Sequence, residues 1–389
     1  MKMKGVSIKG LARLALIAIL AVFVLLQIAT CIEKGGQPLR RLDAQSERNS
    51  WQGAERFVTE GFRSTSFLAR YDSPLNLDSG SPVIRDSDIY THYFPGPDYV
   101  LAAVQALFGP GETVMRWSRL LPLAHVLVAL LLLLGLSERR LWPGQEWITT
   151  VMAALALYPP VLRDWSLSLH GHSYSSAYIM LGLGLGLLGE EGRHRPWRLA
   201  AGFVLGILSN YMLLTGAFVV CAAPLVGSLL VPDRRRHGFA VVLSGMVGLG
   251  LVIAFGVHYL QIVDQFGWHE ARLDQFGVFS ARAGAGVAGT SRNELFSQYQ
   301  TEVQRYFGIT PVVMLLIGLW GSLGYAGSAR ARLAPGLGVA LAFAGSWAWI
   351  FLMRQHSLEH GHVNPRIFLL IYLCSLATAG RLGAGRGKI

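Results

Sequence analysis

The sequence predicts an all-α polytopic membrane protein with about ten transmembrane helices. Apolar residues make up 52% of the 389-residue chain and charged residues only 15%, and the mean hydropathy is positive. A soluble protein of this length would expose more charge. Apolar stretches of about 20 residues recur along the whole chain, and basic residues concentrate in alternate loops, which is the pattern of a protein that crosses a bilayer many times.

The net charge of +11 does not indicate a nucleic-acid partner, because basic residues in membrane proteins normally fix orientation. The three cysteines lie in or beside apolar runs without CxxC spacing. The sequence therefore predicts neither a disulfide framework nor a cysteine-based zinc site.

Hydropathy places the spans at regular intervals. The first follows a basic leader and is longer than the apolar region of a typical signal peptide, so we expect an uncleaved helix. The run 199–231 is too long for one crossing, and arginine clusters flank both of its ends, so we expect two short helices that bend near Ser209 and Asn210. The predicted spans are 11–31, 118–137, 146–162, 174–189, 199–231 as two helices, 238–260, 310–327, 335–353 and 366–380.

This layout puts both termini in the cytoplasm, and we expect the protein to span the inner or plasma membrane many times. The short cytoplasmic loops are then strongly basic, whereas the longer outer segments carry nearly balanced charge, as the positive-inside rule requires. We expect residues 1–389 to form a single transmembrane domain without a separate soluble domain. Its largest polar segments are the first outer loop, 32–117, and the third, 261–309.

Both long outer loops carry helical patterns. In the first, Trp51–Gly61 has helical apolar spacing and a glycine stop, which predicts an interfacial helix, and Asp98–Phe108 predicts a second short helix after two prolines. In the third, the sequence of 282–290 predicts a mobile Ala-Gly linker, and it lacks the lysine of a phosphate-binding loop. A capping box at Ser291–Glu294 then opens an amphipathic helix that ends at Gly308.

The polar side chains that could bind a substrate or take part in a reaction fall on the outer side in this layout. The second outer loop contributes Arg163, Asp164, His170 and His172. The fourth is the densest polar cluster, with Arg354, His356, His360, His362 and Arg366. Its histidines could bind phosphate or sugar oxygens, decorate the interface, or hold a divalent metal, although their spacing matches no strong zinc signature and Gly361 interrupts the helical face.

One segment carries a family resemblance. The run Tyr90-Thr-His92-Tyr-Phe-Pro95-Gly-Pro97-Asp98-Tyr99 is followed by a short apolar helix, and Arg116 and Arg119 then precede the next span. Together with an acid in a long first outer loop, it resembles the C-type (GT-C) membrane glycosyltransferases, which include protein O-mannosyltransferases and lipid A aminoarabinose transferases. The resemblance covers about residues 40–230. It departs in the glycine between the prolines and in Asp43-Ala-Gln-Ser-Glu47, which replaces an Asp-Glu pair.

The resemblance implies an inverting transferase that moves a sugar from a polyprenyl-phosphate donor to a lipid, glycan or protein acceptor on the periplasmic face. A loop carboxylate would act as the base, and rim arginines would hold the phosphate. The expected partners are that donor, membrane lipids and an unknown acceptor, with no nucleic acid. Three carboxylates remain open as the base: Asp43, Glu47 and Asp88. The expected substrate-binding residues are Tyr90, His92, Arg163, Asp164, His170, His172, Arg354, His356, His360, His362 and Arg366.

Two other functions compete with a transferase. A polyprenyl-lipid or solute transporter or flippase would also need polar outer loops, but transporters usually carry ionisable groups near the bilayer midplane. The predicted spans are nearly free of acids and lysines, which favours an enzyme. A non-catalytic membrane subunit is the third alternative.

Overall fold

Within the residues that it describes, the computed structural model places the predicted apolar stretches on helices, and the stretch 146–162 is interrupted after residue 157. The structure describes residues 8–39, 43–71, 87–92, 94–188, 194–212, 214–231, 235–283, 292–308, 311–323, 329–359 and 365–386. The helices are α1 (Ile8–Lys34), α2 (Ala44–Glu60), α3 (Gly96–Phe108), α4 (Glu112–Ser118), α5 (Leu120–Arg140), α6 (Glu146–Leu157), α7 (Pro160–Arg163), α8 (His172–Leu188), α9 (Arg195–Met212), α10 (Leu214–Leu229), α11 (Arg235–Phe266), α12 (Trp268–Ala283), α13 (Arg292–Phe307), α14 (Pro311–Leu323), α15 (Ala329–Leu352), α16 (Arg354–Glu359) and α17 (Leu369–Arg386).

Among the described residues, four helical segments are long and apolar enough to cross a bilayer by length and composition. They are Ile8–Lys34, Glu112–Arg140, His237–Phe266 and Leu333–Leu352, and shorter apolar helices cover Glu146–Leu157, Gly216–Leu229 and Leu369–Ala384. The long run 199–231 forms the two helices α9 and α10, as its basic flanks predict.

The membrane helices pack around α8 and α10. Helix α8 contacts α5 and α10, helix α10 also contacts α11 and α15, and α14, α15 and α17 pack together beside them. Glycines permit two close crossings. A Cβ on Gly186 would lie 2.1 Å from the Pro224 carbonyl oxygen, and one on Gly206 would lie 2.0 Å from the Val247 carbonyl oxygen. The small residues therefore serve helix contact.

The first outer loop folds as a cap on one end of this bundle. Helix α2 ends at Gly61, whose positive φ of 84° suits a glycine. Its apolar side packs on α3 through Ala54 and Phe57, so the predicted helix exists, but much of its apolar face is covered by protein. Val58, which the helical spacing assigns to that face, is exposed. Strands β1 (Ala69–Arg70) and β2 (Ile89–Tyr90) form a short antiparallel pair beside it.

The third outer loop contains one helix that the sequence predicts and one that it does not. Helix α13 buries Leu295, Tyr299 and Val303 and ends at Gly308, as the amphipathic pattern indicates. Helix α12 was missed because its buried face includes Asp274 beside Ala271 and Val278, which hides the apolar periodicity. Most of the predicted Ala-Gly linker, together with Ser291 of the capping box, lies outside the described residues.

Candidate functional site

A fully buried ion pair lies at the end of the molecule that carries the cap. Glu47 of α2 and Arg119, between α4 and α5, face each other through two bonds: Arg119 Nη1 to Glu47 Oε1 at 2.9 Å and Nη2 to Oε2 at 3.0 Å. Neither side chain reaches solvent. Such paired geometry is what makes a buried ion pair tolerable in a protein interior.

The remaining hydrogen-bonding capacity of this pair binds backbone groups from two segments. Arg119 donates to the carbonyl oxygens of Gly35, Gln37 and Leu167 at 2.9–3.0 Å. Glu47 accepts from two backbone amides, that of Leu39 at 2.9 Å and that of Leu169 at 3.1 Å. The pair thus fixes the chain after α1 against the second outer loop.

Those fixed segments form part of the wall of a half-open cavity of about 730 Å³. It lies between the outer end of α1, helix α4 and helix α7. Its lining is Leu26, Gln27, Thr30, Glu33, Lys34, Gly36, Gln37, Pro38, Leu39, Glu112, Arg116, Arg163, Asp164 and Leu167. The cavity therefore combines apolar side chains of α1 with three cationic side chains, Lys34, Arg116 and Arg163, and three acidic ones, Glu33, Glu112 and Asp164.

Two of these cations have defined settings. Arg163 Nε lies 2.8 Å from Asp164 Oδ1, in a partly exposed pair. The Nε atom of Arg116 is buried and meets no hydrogen-bond partner among the described residues. Gly36 lets the chain pass beside Arg116, since a Cβ there would lie 3.5 Å from its Nη2 and 3.3 Å from the Glu112 carbonyl oxygen.

Asp43 begins α2 four residues after Leu39. Its Oδ1 accepts a hydrogen bond from the Ser46 amide at 3.1 Å, which caps the helix, and its Oδ2 accepts one from Ser46 Oγ at 2.5 Å. His172 Nε2 lies 4.0 Å from Oδ2. Burial alone would raise the pKa of Asp43, but Ser46 and the protonated forms of His172 and His170 hold that pKa well below its usual range.

Behind this carboxylate lies a second, buried polar group. The rings of His170 and His172 meet at 4.9 Å between centroids, and Trp165 closes the other side of His172 at 4.6 Å. His170 Nδ1 lies 3.0 Å from Ser50 Oγ. Ser50 in turn hydrogen-bonds the carboxyl of Asp98, whose Oδ2 also accepts the Tyr71 hydroxyl at 3.1 Å.

Asp98 is completely buried, and burial raises its pKa to about 7, although the hydrogen bonds from Ser50 and Tyr71 oppose the rise.

The third candidate base, Asp88, stands in a different setting. Arg70 Nε donates to Asp88 Oδ2 at 2.5 Å, and the same guanidinium contacts Glu60 at 2.9 Å, with all three side chains partly exposed. The ring of Tyr90, two residues further, lies between those of Tyr71 and His92 in tilted contacts, with centroid distances of 5.4 and 5.2 Å. Asp88 therefore belongs to a surface ion-pair network, while Tyr90 faces the interior.

His92 is held from the third outer loop. Its Nε2 lies 3.4 Å from Asp274 Oδ1, and Gln275 and His258 both contact the Thr91 carbonyl oxygen, at 3.3 and 3.0 Å. Burial lowers the pKa of His92. Helix α12 thus clamps the segment that carries Tyr90 and His92.

The fourth outer loop is only partly described. Arg354 is exposed and lines a separate open cleft of about 780 Å³ with Phe279, Ala283, Phe296, Phe351 and Leu352. It does not line the cavity that holds Arg163. His360 and His362 lie outside the described residues, as do the side chains of His356 and Arg366.

The fold has solved counterparts. ArnT of Cupriavidus metallidurans, solved with bound undecaprenyl phosphate, matches 93% of this chain with a TM-score of 0.59 and 19% identity. The archaeal oligosaccharyltransferase AglB of Archaeoglobus fulgidus, solved with an inhibitory peptide and a dolichol phosphate, matches 94% with a TM-score of 0.51 and 11% identity. Both are GT-C glycosyltransferases.

The chain has the GT-C fold. It spans 59% of the length of the ArnT structure and 50% of that of AglB. No protein-family model and no curated protein matches the sequence. The resemblance inferred from the Tyr90–Tyr99 segment is therefore confirmed at the level of the fold.

Within this GT-C fold, the structure brings together Asp43, His170 and His172, and sets Arg163 and Asp164 on the nearby cavity. Among the described residues, no group of three or more histidine, cysteine, aspartate or glutamate side chains is arranged to hold a metal. The fourth-loop histidines, for which the sequence left a metal open, remain a prediction.

Sequence reasoning left four important side chains without a role. Arg119 and Arg116 follow the family segment, but the ion pair with Glu47 joins residues 72 positions apart, and no local pattern signals it. Asp98 reads as a first-turn acid at a helix N-terminus, and Ser50 as an ordinary polar residue of an amphipathic helix. Only their burial, 1% exposed for Asp98 and none for Ser50, reveals the network.

Proposed function

We propose that this protein is a membrane glycosyltransferase that moves a sugar from a polyprenyl-phosphate carrier to an acceptor at the outer face of the membrane. The observation that carries the proposal is the position of Asp43. This ionised carboxylate lies beside two histidines at the start of α2, four residues after a wall of the half-open cavity. The GT-C fold supports it, because both matched proteins were solved with a polyprenyl phosphate.

The cavity between α1, α4 and α7 suits a phosphate that is joined to a hydrocarbon tail. Leu26 and Leu39 offer apolar wall where α1 leaves the membrane, and Arg116 and Arg163 offer guanidinium groups at the same cavity. The buried Nε–H of Arg116 has no partner among the described residues, so a bound phosphate oxygen would satisfy it. We assign this cavity to the donor headgroup.

During transfer, the leaving polyprenyl phosphate gains negative charge. Arg163 and Arg116 would stabilise that charge with hydrogen bonds that are already in place before the reaction. Asp164, which pairs with Arg163 at 2.8 Å, would orient the guanidinium. We therefore keep Arg163 and Asp164 in the donor site and add Arg116.

We propose that Asp43 binds the hydroxyl group of the acceptor, which attacks the sugar. A carboxylate with a strongly lowered pKa stays ionised and accepts a hydrogen bond well, but it is a poor final acceptor of a proton. We propose that Asp43 orients the acceptor hydroxyl and that His172, 4.0 Å from it, takes the proton. A single displacement of this kind inverts the anomeric carbon.

The other two carboxylates fit different roles. Glu47 already accepts hydrogen bonds from Arg119, Leu39 and Leu169 and is fully buried, so we assign it to holding the cavity wall. Asp88 lies in an exposed pair with Arg70, so we assign it to the surface of the cap. Tyr90 and His92 remain candidates for the wall of the acceptor site.

The acceptor that we favour is a lipid. A second open cleft between α12, α13 and α15 combines Phe279, Phe296 and Phe351 with Arg354. Aromatic and aliphatic walls suit an acyl chain, and one arginine suits an anionic headgroup. The fourth-loop residues His356, His360, His362 and Arg366 follow Arg354 in sequence and stay predicted substrate-binding residues on the sequence alone.

Binding of undecaprenyl phosphate to the purified protein tests the donor site. We expect Arg163→Gln and Arg116→Gln each to weaken binding about tenfold or more, since each removes a charge-assisted hydrogen bond. Arg354→Gln, in the other cleft, and Arg70→Gln, on the cap surface, are matched controls and should bind normally. Equal binding of undecaprenol, which lacks the phosphate, or a loss confined to Arg354→Gln would contradict this assignment.

A further inference from the structure

A buried hydrogen-bonded chain leads away from the proposed catalytic pair into the protein. It runs from His170 through Ser50 to Asp98, with Ser50 Oγ 3.0 Å from His170 Nδ1 and hydrogen-bonded to the Asp98 carboxyl. All three side chains are buried. The ring of His170 lies against that of His172, which faces Asp43. No part of the proposed donor or acceptor site accounts for an acid at this depth.

We propose that Asp98, Ser50 and His170 form a proton relay behind the Asp43–His172 pair, with Asp98 as the group that finally holds the proton. The inference rests on the proposed function for its purpose, since a transferase must remove a proton from its acceptor. The relay itself is a property of the fold and is testable without any transfer reaction. Asp98 and Ser50 touch no substrate, so they are positioning residues.

The hydroxyl of Ser50 links two states of the chain. When Asp98 is ionised, the Ser50 O–H donates to the Asp98 carboxylate and the Nδ1–H of His170 donates to Ser50 Oγ. When His172 passes the proton of the acceptor to Nε2 of His170, whose ring it contacts at 4.9 Å, the Nδ1 proton of His170 passes to Ser50 Oγ and the Ser50 proton passes to Asp98. Each group gives up one O–H or N–H bond as it gains another, and Asp98 ends as the neutral acid.

Asp98 is well suited to hold such a proton. Its burial shifts the pKa to about 7, which is the range in which a group exchanges protons readily at neutral pH. The groups that face it are Ser50 and Gly53 from α2 and Tyr71 from the segment after β1, and Tyr99 follows it in α3. Within the described chain, no arginine or lysine contributes to its pKa.

Gly53 keeps this site tight. A Cβ at residue 53 would lie 3.0 Å from Asp98 Oδ2 and 2.9 Å from the Tyr71 ring, so α2 approaches the acid closely only because residue 53 lacks a side chain. The close approach brings Ser50, one turn earlier on α2, within reach of both Asp98 and His170.

The experiment follows the ring nitrogens of His170 by ¹⁵N NMR of histidine-labelled full-length protein in detergent micelles, with His170→Gln to assign the signals. In the unaltered chain, we expect the Nδ1 and Nε2 signals to exchange protonated and unprotonated character with a midpoint near pH 7. Asp98→Asn cannot ionise, and Ser50→Ala breaks the link, so both should abolish that transition. Tyr71→Phe is the matched control, because it removes the other hydrogen bond to Asp98 and leaves the relay intact.

Tyr71→Phe should keep the transition and move its midpoint to higher pH, because the lost hydrogen bond favours the ionised acid. The proposal is overturned if His170 titrates identically in the unaltered, Asp98→Asn and Ser50→Ala proteins. If Asp98→Asn does not fold, the Ser50→Ala comparison decides alone. A relay that titrates as expected in a protein that does not bind undecaprenyl phosphate would leave this inference standing and remove the proposed function.

Discussion

Glu47 and Arg119 face each other across the cap with two parallel hydrogen bonds of 2.9 and 3.0 Å and no exposure to solvent. The same two side chains bind backbone groups on the segment after α1 and on the second outer loop. The pair therefore joins the parts of the chain that carry Asp43, Arg163 and His172. We assign to this ion pair the role of holding these segments in their relative positions.

Arg119→Lys conserves the charge but should destabilise the protein severely. A lysine ammonium cannot reach both carboxylate oxygens and the carbonyl oxygens of Gly35, Gln37 and Leu167 at once, and a buried pair that loses one partner costs about 3 kcal/mol or more. Thermal unfolding in detergent measures the loss. Arg70→Lys, in the exposed pair with Asp88 and Glu60, is the matched control and should change stability by less than about 1 kcal/mol. Equal stability of the two variants would remove the structural role of Glu47.

Asp43→Asn should abolish sugar transfer while leaving undecaprenyl phosphate binding unchanged. The amide keeps the size of the side chain but loses the charge that orients the acceptor hydroxyl, and loss of such a group costs about 10²–10⁴-fold in rate. Release of polyprenyl phosphate from a polyprenyl-phosphate sugar measures the rate. Asp88→Asn is the control and should retain turnover; loss of turnover in Asp88→Asn but not in Asp43→Asn would move the residue that orients the acceptor hydroxyl to the cap surface.

The contribution of Asp98 to the stability of the protein should fall as pH rises from about 4 to about 7. The folded pKa of about 7 lies above the unfolded value near 3.9, so over this window the folded state holds a proton that the unfolded chain has released. The resulting loss is on the order of a few kcal/mol and levels off above pH 7. Thermal unfolding of Asp98→Asn against pH should show a weaker decline. If the pH dependence of unfolding is the same in both proteins, Asp98 does not cause the decline.

Single cysteines should report the orientation of the cap. Ser64 is exposed beside α2, and Pro143 is exposed between α5 and α6, on opposite sides of the membrane in the proposed topology. We expect Ser64→Cys to react with an impermeant maleimide in intact cells and Pro143→Cys to react only after permeabilisation. The native Cys31 and Cys374 are buried and Cys221 is partly buried, so the unaltered protein is the control for background labelling. Labelling in the opposite order would put the cap in the cytoplasm.

The sequence predicted the membrane helices well because hydropathy and length act locally. Even the division of 199–231 into α9 and α10 followed from its basic flanks. Helix α12 escaped because an acid, Asp274, occupies its buried face and is satisfied by partners in the first outer loop. Apolar periodicity cannot reveal a helix whose buried contacts are polar.

The candidate site was predictable only in part. Residue type and the family segment pointed to Asp43, Arg163 and the second-loop histidines, and the structure brings Asp43 and those histidines together. The distinction among Asp43, Glu47 and Asp88 could not come from sequence, because it depends on partners distant in the chain. Arg119 is one such partner, and Arg70 is another.

Photocrosslinking with a diazirine-bearing polyprenyl phosphate tests directly where the donor headgroup binds. If the donor headgroup binds between α1, α4 and α7, mass spectrometry should find the label on 26–39, and Arg163→Gln together with Arg116→Gln should remove it. Labelling confined to the cleft of Phe279, Phe296 and Leu352, or labelling that survives loss of both arginines, would contradict the proposed donor site.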